Sequence, residues 1–320
     1  MAELEIYCDN KVEGLWFQGL SPLLRDARLV TILGRGSNPP QIARLVEYDR
    51  PDIILTVGGI PILVVEKTRE VPTGHNVGQR VARLVRALEE GIPVIKFFPF
   101  DARKHGTYSG VCNLNIRLIR AFENMAQIHD TPILAVNWPV DAYGELDDEG
   151  TENERLAELV HNFLDSGFDH KCAEFLGQLS YMKDEYERRL DRHRAYGRPP
   201  PSVQIVQTAE LLYEWSDLLN TPERRVLAVR EESVVYEIGM TPGACRREDP
   251  YTGTQFIYDY NWCRSGPEPA DKKRNLILHF PKIDRRRWYA ANPNDDSRKS
   301  CNWYLTASAL MFADGLDVLR

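Results

Sequence analysis

Residues 51 to 68 read Pro51-Asp52-Ile53-Ile54-Leu55-Thr56-Val57-Gly58-Gly59-Ile60-Pro61-Ile62-Leu63-Val64-Val65-Glu66-Lys67-Thr68. Two apolar, β-branched runs flank a Gly-Gly break, the pattern of a β-hairpin. Antiparallel pairing makes the outer ends neighbours, so Asp52 and Glu66 come together. Side chains alternate faces with period two. With Asp52 opposite Glu66, one face carries Asp52, Ile54, Thr56, Ile62, Val64, Glu66 and Thr68. The other carries Ile53, Leu55, Val57, Pro61, Leu63, Val65 and Lys67, and would pack on a helix. The acidic face is apolar in mid-strand and charged at one end, as at a sheet rim. This register asks for an odd loop, most simply Gly58-Gly59-Ile60. A two-residue turn would send the carboxylates to opposite faces.

Two convergent carboxylates repel each other unless a cation lies between them or one takes a proton. Hard oxygen ligands suit Mg²⁺ or Mn²⁺, which bind through one or two carboxylates plus substrate phosphate. An ordinary hairpin with solvated, charged strand ends satisfies the same pattern.

Pro51-Asp52, a short hairpin, then Glu66-Lys67-Thr68 resembles the PD-(D/E)xK nuclease superfamily, to which many restriction endonucleases belong. The resemblance spans roughly residues 28 to 138 and includes the order hairpin, helix, buried strand. It implies that Asp52 and Glu66 hold divalent metal and that a lysine two residues after the Glu helps activate water. Thr68 stands where that lysine is expected, and Lys67 comes one place early. Lys67 reaches the site only if a bulge near Glu66 turns it inward. Lys96, the one charge in the strand Ile92-Pro93-Val94-Ile95-Lys96-Phe97-Phe98-Pro99, is its rival.

Outward from the hairpin, Val77, Val81, Leu84, Val85 and Leu88 form an apolar stripe at helical spacing, closed by Gly91. Gln79, Arg80, Arg83 and Arg86 share that helix. An amide and guanidinium groups directly after metal-binding strands suit a phosphodiester, since Arg bonds phosphate oxygens in pairs. His75 precedes it in a polar turn. Upstream, Arg28 to Leu33 reads as a strand, stopped by a Gly- and Pro-rich loop in which Arg35 could face substrate. Gln41 to Asp49 fits a short helix or a strand leading into Pro51, and Glu47, if the stretch is helical, is a candidate third acid. Leu114 to Met125 reads as a helix and Pro132 to Trp138 as a strand. Strands alternating with helices indicate an α/β core.

The acidic run from Asp141 to Glu154 marks a boundary, and residues 153 to 196 read as charged helices broken at Ser166-Gly167. After Arg198-Pro199-Pro200-Pro201, a helix is expected over Ala209 to Leu219, with strands over Val226 to Val229, Val234 to Ile238 and Asn275 to Phe280. Between Arg264 and Tyr289, eight basic residues, Arg285, Arg286 and Arg287 among them, face three acidic ones. That excess, beside Trp288 and Tyr289, can bind phosphates and stack on bases, or can be an ordinary solvated edge.

The net charge is −7, which does not advertise nucleic-acid binding, yet phosphate contact depends on local patches. Six scattered cysteines without a CxxC pair argue against structural zinc and for a reducing, cytoplasmic setting. No apolar run has the roughly 18 residues of a membrane span.

The expectation is therefore an α/β protein: a restriction-endonuclease-like mixed sheet flanked by helices, with an additional α+β C-terminal region. Residues 1–145 would be the nuclease core, 146–200 a charged helical segment and 201–320 a DNA-recognition region. The expected activity is Mg²⁺-dependent hydrolysis of double-stranded DNA, with Mn²⁺ as a substitute and a homodimer as one way to cut both strands. The alternatives are an RNA-directed nuclease and a nuclease-fold protein that binds without cutting.

Overall fold

Alternating apolar strands and amphipathic helices assemble here as helix-flanked mixed sheets, an α/β architecture. The structure is a computed structural model that describes residues 3–34, 37–73, 75–104, 110–147, 153–193, 202–247, 249–264, 274–291 and 302–319. The first part runs β1 (Leu4–Cys8), α1 (Lys11–Gln18), β2 (Arg28–Thr31), α2 (Pro40–Leu45), β3 (Ile53–Val57), β4 (Ile60–Lys67), α3 (His75–Glu89), β5 (Val94–Phe98), β6 (Asp101–Lys104), β7 (Gly110–Asn113), α4 (Ile116–His129) and β8 (Ile133–Asn137). Next come α5 (Glu154–Asp165) and α6 (Ala173–His193). The last part runs β9 (Ser202–Gln207), α7 (Thr208–Glu214), α8 (Thr221–Leu227), β10 (Glu232–Glu237), α9 (Pro250–Ile257), β11 (Arg274–Phe280), α10 (Arg285–Ala290), β12 (Ala309–Phe312) and β13 (Gly315–Val318).

The first sheet has six strands in the order β2-β1-β3-β4-β5-β8. β1, β3 and β4 are antiparallel neighbours, whereas β4, β5 and β8 run parallel. Both faces of the hairpin are buried, the acidic end at Asp52 and Glu66 included. Ile54, Val64, Val94 and Phe98 pack beneath the α3 stripe of Val77, Val81, Leu84, Val85 and Leu88. On the reverse side Ile53, Leu55, Leu63, Val65, Ile95 and Phe97 meet Phe17 of α1 and Leu156, Leu159 and Phe163 of α5. The charged helices α5 and α6 thus cover this sheet, with Gln178 Nε2 donating to the Ala135 carbonyl at 2.6 Å.

A second sheet, β13-β12-β11-β10-β9, lies on the far side of α3. Val234, Leu276, Phe280, Trp262, Trp288 and Trp303 join the same continuous core as α3. The approach is close: a Cβ on Gly78 would lie 2.2 Å from the Pro250 carbonyl oxygen, so only glycine lets α9 seat there. Two expectations fail in this part. Val226 and Leu227 belong to α8, whose Asn220 and Glu223 form a reciprocal cap that holds the helix against the local β-branched residue. Trp288 is fully buried and cannot stack on a base. No helix among the described residues is long and apolar enough to cross a membrane.

Candidate functional site

The Gly58-Gly59 turn has two residues, at φ 56° and 79°, left-handed conformations that glycine adopts without steric cost. A register shift opposite Leu55 and Thr56 then inserts Ile62 as an extra residue. Below that bulge Ile53 pairs with Val65, so Asp52 stands opposite Glu66. The expected pairing of carboxylates is reached by a tight turn plus a bulge, in place of a three-residue loop.

Glu66 is fully buried. Its Oε1 accepts from Arg80 Nη1 at 2.7 Å, and both its oxygens lie 3.2 Å from Arg83 Nη1. Asp52 is 8 % exposed, and its Oδ2 accepts the Lys67 backbone N–H at 2.7 Å. Asp52 Oδ1 lies 3.7 Å from Arg83 Nη1 and accepts no hydrogen bond among the described residues. Burial, reinforced by the Glu66 charge, pushes the Asp52 carboxyl well above the usual carboxylate range, with Arg83 opposing. Arg83 also donates from Nε to Asp49 Oδ2 at 2.9 Å. One guanidinium therefore faces three carboxylates, and its own pKa is held up by them against the effect of burial.

The lysines separate by strand alternation. Lys67 lies on the face opposite Glu66, its ammonium 4.0 Å from the Trp16 ring centroid and 4.9 Å from that of Trp138. There is no bulge at Glu66 to turn it inward, so Lys67 is not brought to the carboxylates. Lys96 is the parallel-register partner of Glu66 on β5 and shares its face. It is fully buried, and its Nζ has no hydrogen-bond partner among the described residues. Burial lowers its pKa to about 7, with Glu66 opposing the drop and Arg80 and Arg83 adding to it.

Of the other sequence candidates, Gln79 is buried in the early turns of α3, and Arg80 leans on Glu66. Glu47 lies beyond the end of α2 and pairs with Arg86 at 3.1 Å and Arg264 at 3.7 Å, away from the carboxylates. The acid that joins them is Asp49. Its signal was slight: an Asp at the end of the Gln41 to Asp49 stretch, three residues before Asp52. Arg285 pairs with Asp317 at 3.3 Å and Arg287 with its own cap, Asp284, at 4.0 Å. Only Arg286 of the three is exposed without an ion pair among the described residues. Arg35, Lys272, Lys273 and the His75 side chain lie outside the described residues.

The donors fit a hard cation such as Mg²⁺ in one way. Asp52 keeps an oxygen free of hydrogen bonds beside a second carboxylate, and Mg²⁺ commonly binds through one or two carboxylates with water and phosphate completing its shell. No group of three or more His, Cys, Asp or Glu residues able to hold a metal ion occurs among the described residues. Glu66 would have to exchange a guanidinium for the ion. No family model, no curated protein and no solved structure matches the chain.

Proposed function

We propose that the chain is a metal-dependent endonuclease of the restriction-endonuclease-like kind, hydrolysing phosphodiester bonds in DNA. The observation that supports this best is Lys96, a buried amine in register with Glu66 that makes no hydrogen bond among the described residues, its pKa lowered to about 7 by burial. A general base is most useful with a pKa near the working pH, and burial is how a lysine reaches it. Asp52 and Glu66 would hold Mg²⁺, which when bound neutralises phosphate charge and acidifies water. Above pH 7 the neutral Lys96 amine accepts a proton from the attacking water. A bond forms between the water oxygen and phosphorus, one phosphoester bond breaks, and the departing oxygen takes a proton from solvent. Arg80, partly exposed, steadies a neighbouring phosphate oxygen. Arg83 holds Glu66 and Asp49 in place before the cation arrives.

The alternative, binding without cutting, is favoured by the guanidinium contacts that already occupy both Glu66 oxygens. Supercoiled plasmid incubated with Mg²⁺ or Mn²⁺ separates the two. Nicked and linear products that disappear in the Lys96→Ala variant support the nuclease. A mobility shift with intact plasmid at every metal concentration overturns it in favour of binding alone.

A further inference from the structure

Beyond Glu66, β4 leads through Thr68 into a cavity of about 190 Å³ lined by Arg69, Glu70, Asn76, Arg103, Lys104 and Cys112, among others. Its charge is lopsided. Arg69, Arg103 and Lys104 are cationic, and the one carboxylate, Glu70, already accepts from Asn76 Nδ2 at 2.6 Å. Arg103 and Lys104 make no ion pair among the described residues. The strand that presents them is fixed: Ala102 is buried, Asp101 takes two bonds from Arg189, and the Arg103 N–H donates to the Gly144 carbonyl at 2.7 Å. Arg69 is steadied over the Trp138 ring, 5.3 Å from its centroid. Three cations against one carboxylate leave the described lining net positive, and the two on the fixed strand carry no ion pair among the described residues, which suits an anion.

Size narrows the ligand. Pockets for whole cofactors or drug-sized molecules run to about 300–1,000 Å³, so this one takes a group such as a phosphate. Position narrows it further. Asn76, Arg80 and Arg83 follow one another at i+4 and i+3 along α3, forming one line from the cavity to the carboxylates. At a rise of about 1.5 Å per residue, the seven steps from Asn76 to Arg83 cover roughly 10 Å. We infer that this cavity is a phosphate subsite, seating a phosphate of the nucleic-acid strand next to the one that reaches Asp52 and Glu66. The nucleic-acid source of that phosphate rests on the nuclease reading; the anion site itself does not.

The test uses the full chain carrying Arg103→Gln and Lys104→Gln together, both exposed positions, with unchanged thermal melting as the check on folding. Binding of a fluorescein-labelled 20-base-pair duplex, with and without a 5′-phosphate, is followed by anisotropy over a salt series without divalent metal. We expect about tenfold weaker binding in the double variant and a log-log salt slope flatter by about one unit per lost contact. Equal loss on both duplexes assigns an internal phosphate, and loss confined to the phosphorylated duplex assigns a strand end. A duplex bound equally well by wild type and variant, with the same slope, overturns the subsite. If the wild type binds neither duplex, the nuclease reading fails, and titration calorimetry with inorganic phosphate decides the remaining question. A saturable heat change lost in the double variant upholds the anion site; no change in the wild type overturns it.

Discussion

Two clusters of buried charge lie on one helix, a turn apart, and they are built on opposite terms. Near the C-terminal end of α3, Arg86 meets Glu47 at 3.1 Å, Glu89 at 3.1 Å, Glu90 at 2.8 Å and the Arg44 carbonyl at 2.9 Å. Tyr48 donates to Glu89 at 2.7 Å, and Arg264 lies over the Tyr48 ring. There the charges are matched acid to base, although burial raises the Glu89 carboxyl too and its Oε1 accepts no hydrogen bond among the described residues. At Arg80 and Arg83 the account does not close. Among the described residues Lys96 Nζ has no hydrogen bond and Asp52 Oδ1 accepts none, and burial drives both groups toward their neutral forms. Paired buried charges are structural and can even be replaced by apolar residues. Buried groups with displaced pKa values and spare hydrogen-bonding capacity are where chemistry is to be sought.

The contrast breaks most visibly in activity. Asp52→Ala, Glu66→Ala and Lys96→Ala should each reduce single-turnover plasmid cleavage sharply, Lys96→Ala by roughly 10²- to 10⁴-fold, the range of a positioned proton acceptor. Lys67→Ala should change the rate by less than about tenfold, because its ammonium rests on indole rings on the other face. Cleavage kinetics on all four variants checks this, and a larger loss in Lys67→Ala than in Lys96→Ala would reverse the assignment.

Stability sharpens it next. Arg86→Ala should cost about 3–5 kcal/mol by stranding the buried Glu89 carboxylate, while the folded fraction keeps its cleavage rate. Lys96→Met should do the reverse, removing activity and raising stability by about 1–3 kcal/mol, because an unsatisfied buried polar group disappears. Urea denaturation reads both. The pH dependence has a definite sign. The folded Lys96 loses its proton near pH 7, whereas the unfolded chain holds it to about 10.5, so the unfolded state binds more protons in that window. Wild-type stability contributed by this group therefore rises with pH from about 7 to 10.5. The advantage of Lys96→Met should shrink over the same range, and a constant gap would show that Lys96 is charged or neutral in both states alike.

The same contrast explains what could be read from residue order. The hairpin was legible because β-branched alternation and Gly58-Gly59 are local signals. The pairing of Asp52 with Glu66 followed from geometry alone. The bulge at Ile62 was not legible, since one inserted residue leaves no mark in composition. Alternation already turned Lys67 away from the carboxylates, and only a bulge at Glu66 could have overridden it. The irregularity sits at the turn end of the strand instead. Asp49 and Glu47 exchanged roles because a helical reading of Gln41 to Asp49 cannot tell where α2 stops, two residues short of Glu47. Tertiary contacts, invisible to periodicity, decided which acid faced which arginine.

The smallest effect concerns the basic run at α10, where charge counting and structure diverge. Three consecutive arginines look like three phosphate contacts. Yet Arg285 is drawn to Asp314 and Asp317, some thirty residues on, with its Nη2 2.9 Å from the Asp314 carbonyl oxygen. The Asp284 side chain caps the helix at the Arg287 N–H and also pairs with the Arg287 guanidinium. A guanidinium already paired releases no counterions on meeting DNA unless it first gives up its acid. Arg286 is the member of the trio left to solvent among the described residues. The triple variant Arg285→Ala, Arg286→Ala, Arg287→Ala should therefore flatten the log-log salt slope of duplex binding by about one unit, the value for a single phosphate contact. Arg286→Ala alone should give nearly the same flattening. A slope change near three units in the triple variant would mean that DNA prises Arg285 and Arg287 from their acids, and would move the recognition surface onto α10. No change in either variant would leave α10 outside the DNA contact altogether.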